Sequence, residues 1–326
     1  MKKITSVLLA AVMVLTLFTF IGCQKNEPAL KLGLGVYTSV SATDATADKA
    51  GQGQATVTAA AVLVDDEGKI VKAFIDCADN KVDYTAEGKA VAKESFKTKY
   101  ESGKDYGMVA YGGAAKEWFE QADAFCNLIV GKTAAEVKAL VVNGDKGTDE
   151  VINAGCTITV AEFANAVEKA IANATASNAT KNDTLKLGIS TVQTTADATE
   201  DKAGSNKMET TFFAAAVDAE GKITAAASDC VEVSFGFDLT GKSTFDASKQ
   251  ILSKKEQGDS YGMKAYGGSA KEWYEQAAAF DAACIGKTAG EISSLMGADA
   301  KGNADLQAAG CTIAISSFIK AAAKIG

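Results

Sequence analysis

Apolar and polar residues alternate with a period of two early in the chain and later shift to helical spacing. Thr56-Val57-Thr58 and Val62-Leu63-Val64 lead into the polar turn Asp65-Asp66-Glu67-Gly68-Lys69, and Ile70-Val71-Lys72-Ala73-Phe74-Ile75 leaves it. This pattern predicts a β-hairpin. From Lys116 to Phe125 the spacing of Trp118, Ala122 and Phe125 predicts a helix, and Thr133-Ala134-Ala135-Glu136 has the form of a capping box at the start of another. Thr159-Val160-Ala161-Glu162 reads as a further capping box, opening a helix with Phe163, Val167 and Ile171 on its inward face. Strands followed by helices predict an α+β fold with an antiparallel sheet.

The pattern occurs twice. Ala45-Thr46-Ala47-Asp48-Lys49-Ala50-Gly51 returns as Ala198-Thr199-Glu200-Asp201-Lys202-Ala203-Gly204 at an offset of 153. Tyr106-Gly107-Met108, Ala110-Tyr111-Gly112-Gly113 and Ala115-Lys116-Glu117-Trp118 return as Tyr261-Gly262-Met263, Ala265-Tyr266-Gly267-Gly268 and Ala270-Lys271-Glu272-Trp273 at 155. One two-residue insertion reconciles the offsets. The chain therefore reads as two copies of one domain, 31–172 and 185–326, each large enough to bury its own core. The Ala/Asn/Thr-rich stretch 173–184 reads as a flexible linker that would let the copies move. Asp218-Ala219-Glu220-Gly221-Lys222 is the second hairpin turn, and Thr288-Ala289-Gly290-Glu291 the second capping box. Ala314 and Ser317 replace the capping pair Thr159 and Glu162, so the last helix is expected to start less firmly.

At the N-terminus, Met1-Lys2-Lys3 precedes an apolar run from Ile4 to Ile21, then Gly22 and Cys23. The arrangement resembles a bacterial lipoprotein signal, with Phe20 where that family usually has leucine. It implies a signal peptide over 1–22, a diacylated Cys23 as lipid anchor on the outer face of the cell membrane, and a polar tether over 23–30. An uncleaved membrane helix is the other reading of the same run.

The 326 residues carry no histidine and no arginine, and 33 lysines against 41 acids leave a net charge of −8. His-dependent triads and His-ligated metal sites are excluded, and nucleic-acid binding is disfavoured without basic excess or arginine forks. No metal site is expected. Besides Cys23, Cys77 matches Cys230, Cys156 matches Cys311, and Cys126 and Cys284 lie three residues apart in register. That placement leaves Cys77–Cys126 and Cys230–Cys284 disulfides open, although domains of this size need no staple and buried thiols are the preferred reading. Trp118 and Trp273 read first as core anchors, with stacking on a cofactor as the alternative.

Candidate chemistry lies near the end of each copy, where Ala154-Gly155-Cys156-Thr157 recurs as Ala309-Gly310-Cys311-Thr312. A helix starting within two residues of Thr157 would present a dipole and free N–H groups to a phosphate, and Gly155 and Gly310 would leave room for it. This motif resembles the Ser-Gly-Ala-Thr modification site of FMN-binding domains related to quinone-reductase complexes. The lipid signal and tandem domains together resemble a flavinylated lipoprotein of Gram-positive extracellular electron transfer. The resemblance implies two FMN groups, each joined by a phosphodiester to Thr157 or Thr312 by a separate flavin transferase, with Glu150 and Asp305 as upstream acids. Tyr106 and Met108, with Tyr261 and Met263, would line the flavin. It also implies an electron carrier, not an enzyme, fed by a membrane quinone/NADH dehydrogenase system and discharging to ferric iron or flavin shuttles. A surface lipoprotein binding a small ligand noncovalently is the alternative, and a surface reductase with its own pocket ranks third.

Overall fold

The structure, a computed structural model, describes residues 27–326. The signal peptide and Cys23 lie outside the described residues. The fold is α+β, built on antiparallel sheets. Each half opens with three long strands, β1 (Lys31–Thr43), β2 (Gly51–Val64) and β3 (Ile70–Tyr84) in the first. The first half continues with α1 (Lys99–Ser102), α2 (Trp118–Leu128), α3 (Ala134–Lys138), a ribbon of β4 (Val141–Val142) and β5 (Lys146–Gly147), α4 (Asp149–Ala154) and α5 (Ala161–Ala172). After β6 (Thr175–Ala176), the second half runs through β7 (Thr184–Ala196), β8 (Gly204–Val217), β9 (Ile223–Phe237), α6 (Lys254–Gln257), α7 (Trp273–Cys284), α8 (Ala304–Ala308) and α9 (Ser316–Ala323). The sheet orders are β3-β2-β1-β6 and β7-β8-β9.

The predicted hairpin turns form because an aspartate closes each one. Asp65 accepts the N–H groups of Glu67 and Lys69 at 3.0 and 2.9 Å, and Asp218 does the same for Glu220 and Lys222 at 3.0 and 2.7 Å. Gly68 and Gly221 supply the positive φ, 76° and 79°, that these turns require.

Both faces of each sheet are buried, and β2 shows why. Ala55, Val57, Ala59, Ala61 and Leu63 point toward the other sheet, while Ala60, Val62 and Val64 point toward the helices. Period-two alternation thus separates two apolar faces rather than an apolar and a wet one. The layers run helices, sheet, sheet, helices. Helix α5 lies so close to β1 that a side chain at Gly33 or Gly35 would strike its backbone, and Gly188 of β7 is pressed against α9 in the same way.

Residues at matching positions in the two halves meet each other across the sheet–sheet interface. The Tyr84 and Phe237 rings stack at 4.5 Å with 6° between planes. Ala45 N–H donates to Gly241 O and Ala198 N–H to Gly88 O, both at 2.8 Å. Asp44 accepts from the Ser243 amide and Asp197 from the Ala90 amide. At the other end Lys324 pairs with Glu101 at 2.6 Å, and Lys169 pairs with Glu256 at 2.5 Å. These reciprocal contacts are those of an isologous pair formed within one chain.

The expectation of a flexible linker over 173–184 does not fit this arrangement. Thr175–Ala176 pairs with β1, Ala179 is fully buried and accepts from the Leu30 amide at 2.7 Å, and Thr180 and Asp183 bond to each other. An Ala/Asn/Thr-rich composition suits a strap lying across a core as well as a linker. A shared core predicts that the halves unfold in one cooperative transition. Phe237→Ala should lower stability by about 3 kcal/mol or more in denaturation followed by circular dichroism. Two separate transitions would contradict the shared core.

Candidate functional site

The paired threonines lie in tight turns after short helices. Helix α4 ends at Gly155 with φ 98° and α8 is followed by Gly310 with φ 102°, values that favour glycine. Cys156 and Cys311 then turn inward and are fully buried, which leaves Thr157 and Thr312 on the surface. Each threonine is gripped by a buried glutamine. Gln121 Oε1 accepts the Thr157 amide at 2.8 Å and its hydroxyl at 3.0 Å, and Gln276 Oε1 accepts the same groups of Thr312 at 2.8 and 3.0 Å. The glutamine amides are themselves fixed on the Lys116 and Lys271 carbonyls. With the hydroxyl proton directed at the glutamine, the lone pairs of each Oγ1 face outward.

The capping box expected just after Thr157 does not form. Helix α5 starts at Ala161 with Val160 as N-cap and no side-chain cap bond, so Thr159 and Glu162 form no capping box. Glu162 instead reaches the sheet, accepting from Ser39 and Thr58 at 2.8 and 3.0 Å. Helix α9 likewise starts after Ile315 without a side-chain cap, so the two starts do not differ as expected. The positive charge beside each threonine loop comes from lysine. Gly155 lies against the Lys116 ammonium and Gly310 against that of Lys271, which donates to Ala309 O at 3.0 Å. Glu150 points elsewhere, pairing with Lys132 at 3.0 Å, and Asp305 occupies the first turn of α8.

Beside Thr157 opens a recess of about 250 Å³ lined by Lys99, Tyr106, Met108, Trp118, Ile158 and Glu162. The Lys99 ammonium lies 5.3 Å from the Tyr106 ring centroid and 5.7 Å from that of Trp118; Lys254 stands 5.3 and 5.8 Å from Tyr261 and Trp273. The loop carrying these residues is pinned by a buried glutamate. Glu117 accepts the Met108 amide at 2.9 Å, and Glu272 the Met263 amide at 2.9 Å. The tryptophans are core anchors, packed on Phe163 and Phe318, and Trp118 also forms a wall of the recess. Electrostatics differ between the halves. Lys254 pairs with Glu209 at 3.0 Å and Glu232 at 3.6 Å, whereas Lys99 shares its recess with Glu162.

No family model matches the chain, and no solved structure matches it. Over 123 residues it is 33% identical to a chlorophenol reductase of Desulfitobacterium hafniense. That likeness covers 34% of this chain and 38% of the relative, so the match spans well under half of the relative's length.

Sequence reasoning missed the glutamine clamps Gln121 and Gln276, the lysines Lys99, Lys254, Lys116 and Lys271, and the loop anchors Glu117 and Glu272. All recur at matching positions, and that recurrence was the available signal. All six cysteines of the described residues are unbridged and buried, and burial pushes the Cys77 and Cys230 thiols up to about 12. No cluster of metal-ligating residues exists among the described residues, and none of their helices is long and apolar enough to cross a membrane.

Two matching carboxylates hold the helix bearing each recess lysine. Asp76 accepts the amides of Cys77 and Tyr100, and Asp229 those of Cys230 and Lys255. Burial pushes both up to about 6, and Asp281 with them. A carboxyl raised in the folded state binds its proton more tightly there than in the unfolded chain. Its stabilising contribution is present at low pH and lost as pH rises through about 6. The melting temperature should therefore be higher at about pH 5 than at about pH 7, with a smaller rise in Asp281→Asn. A flat or inverted profile would contradict this.

Proposed function

We propose that the protein is an extracytoplasmic, lipid-anchored electron carrier that bears two FMN groups on Thr157 and Thr312. The observation that carries this reading is the repeated constellation of a surface threonine, a glutamine aligning its hydroxyl, a lysine beside the loop and a lysine–tyrosine–tryptophan cluster next to it, which in the first half lines a recess. These residues fit the group. The outward lone pairs suit a phosphodiester, Lys116 and Lys271 offset its charge, and Tyr106, Met108 and Trp118 offer polarisable surface for a planar ring. The lysine–aromatic pairs at Lys99 and Lys254 place a cation where negative charge on a reduced ring would be stabilised.

When bound, FMN supplies the redox chemistry, accepting and releasing electrons one or two at a time. The chain's own residues fix the attachment oxygen, line one side of the recess and leave the other open for exchange. Covalent attachment outside a cell keeps the cofactor from being lost by dilution. A membrane quinone/NADH dehydrogenase system as donor, a flavin transferase as the attaching enzyme, and ferric iron or flavin shuttles as acceptors complete the proposal. The name of the Desulfitobacterium relative is also a redox name.

Co-expression with a flavin transferase should give a protein whose flavin fluorescence survives denaturing electrophoresis. Thr157→Val should halve that signal, Thr312→Val should do likewise, and the double variant should lose it. Full signal in either single variant would overturn the assignment.

A further inference from the structure

The two halves differ sharply at one place on the core. In the first half, the Phe74 and Tyr100 ring centroids lie 4.9 Å apart, Tyr100 meets Phe119 at 5.9 Å, and the Tyr100 hydroxyl reaches Asp123 at 3.3 Å. The matching positions in the second half hold Ala227, Lys255, Tyr274 and Ala278. Two rings and a carboxylate are thus absent, and only one aromatic wall remains. The floor changes as well. Ile75 and Cys126 correspond to Ser228 and Asp281, and the Asp281 carboxylate accepts both the amide and the hydroxyl of Ser228.

What results is a cavity of about 640 Å³ between α7, β9 and the 173–178 strap, lined by Ala227, Lys255, Tyr274, Ala278, Asp281 and Ile285. In the first half the Phe74 and Tyr100 rings fill the matching space between α2 and β3, and the cleft of about 170 Å³ beside them opens instead toward β7. The larger volume lies in the range of small-molecule pockets.

We infer that this cavity is a noncovalent binding site for a small, neutral, planar aromatic molecule carrying a hydroxyl or carbonyl oxygen. The first half supplies the shape argument, because the Phe74 and Tyr100 rings, tilted 49° to each other, occupy the matching space there. Tyr274 and the alanines of β9 and α7 offer an apolar wall for an inserted ring, and Asn173, Thr175, Ser177 and Asn178 of the strap face it with polar groups suited to a hydroxyl or carbonyl oxygen. Lys255 lines the cavity and its backbone amide bonds Asp229, while its ammonium has no hydrogen bond or ion pair among the described residues and is free to donate to a ligand oxygen. Asp281 already accepts from Ser228, and its charge offsets that of Lys255, so the wall favours a neutral ligand over an ion. The site does not depend on the threonines. Helix α7 turns Gln276 toward Thr312, while Ala278 and Asp281 line the cavity.

Phenol, with cyclohexanol as the non-planar comparison, provides the test by calorimetric titration of the mature full-length chain. The proposal predicts saturable one-to-one binding of phenol, about tenfold or more tighter than cyclohexanol. It also predicts about tenfold or greater weakening in Ala227→Phe/Lys255→Tyr, which restores the residues of the first half, and in the independent variant Ala278→Leu. Circular dichroism confirms folding of each variant. Binding must persist in Thr312→Val, which separates this site from flavin attachment. Absence of saturation, equal affinity for the two alcohols, or unchanged binding in the folded filling variants would overturn the inference.

Discussion

Both long sheets are covered on each face, and the rest of the described molecule follows from that constraint. One face of each sheet must pack on helices and the other on the second sheet, so the halves are joined through a common core around Val57, Ala59, Phe212 and Phe235. Reciprocal contacts at Tyr84 with Phe237, and at the two lysine–glutamate pairs, hold the halves in one relation. The threonine turns are consequently carried on the two outer helical layers of a single body. Movement of one half against the other would expose the shared core, so the proposed carrier would exchange electrons without such movement.

Short-range polar contacts surround the proposed attachment points. A glutamine carbonyl fixes each threonine, a lysine supplies charge, and a buried glutamate fastens the loop that walls the recess. The two halves share this framework but place their carboxylates differently. Lys254 is paired with Glu209 and Glu232, while Lys99 sits with Glu162 near its aromatic rings. Around the two threonine turns the halves therefore differ in charge placement, while the helix starts expected to differ are alike.

Much of the fold was legible because its signals are local. The Asp-Glu-Gly-Lys turns, the two-residue alternation of β2 and the Thr133 capping box need only neighbours in sequence, and each forms as its pattern requires. The Thr159 box failed because Glu162 found hydroxyl donors on the sheet, at Ser39 and Thr58, that no local pattern announces. The strap over 173–184 is not legible for a related reason: small polar residues make linkers and straps alike, and the bond from the Leu30 amide to Ala179 O that distinguishes them is non-local. The threonines were found through their recurrence. Gln121 and Gln276 recur just as plainly but were passed over, because a glutamine in an amphipathic helix carries no chemical signature until its partner 36 residues away is known.

The proposed function stands or falls on what is attached to the two threonine oxygens in the protein as its cell makes it. Intact-mass analysis of the chain extracted from the native envelope reads this directly, together with the lipid on Cys23. The account predicts a diacylated mature chain carrying two FMN-phosphoryl additions, located by fragmentation to Thr157 and Thr312. A mature chain whose mass leaves both threonines unmodified would contradict it.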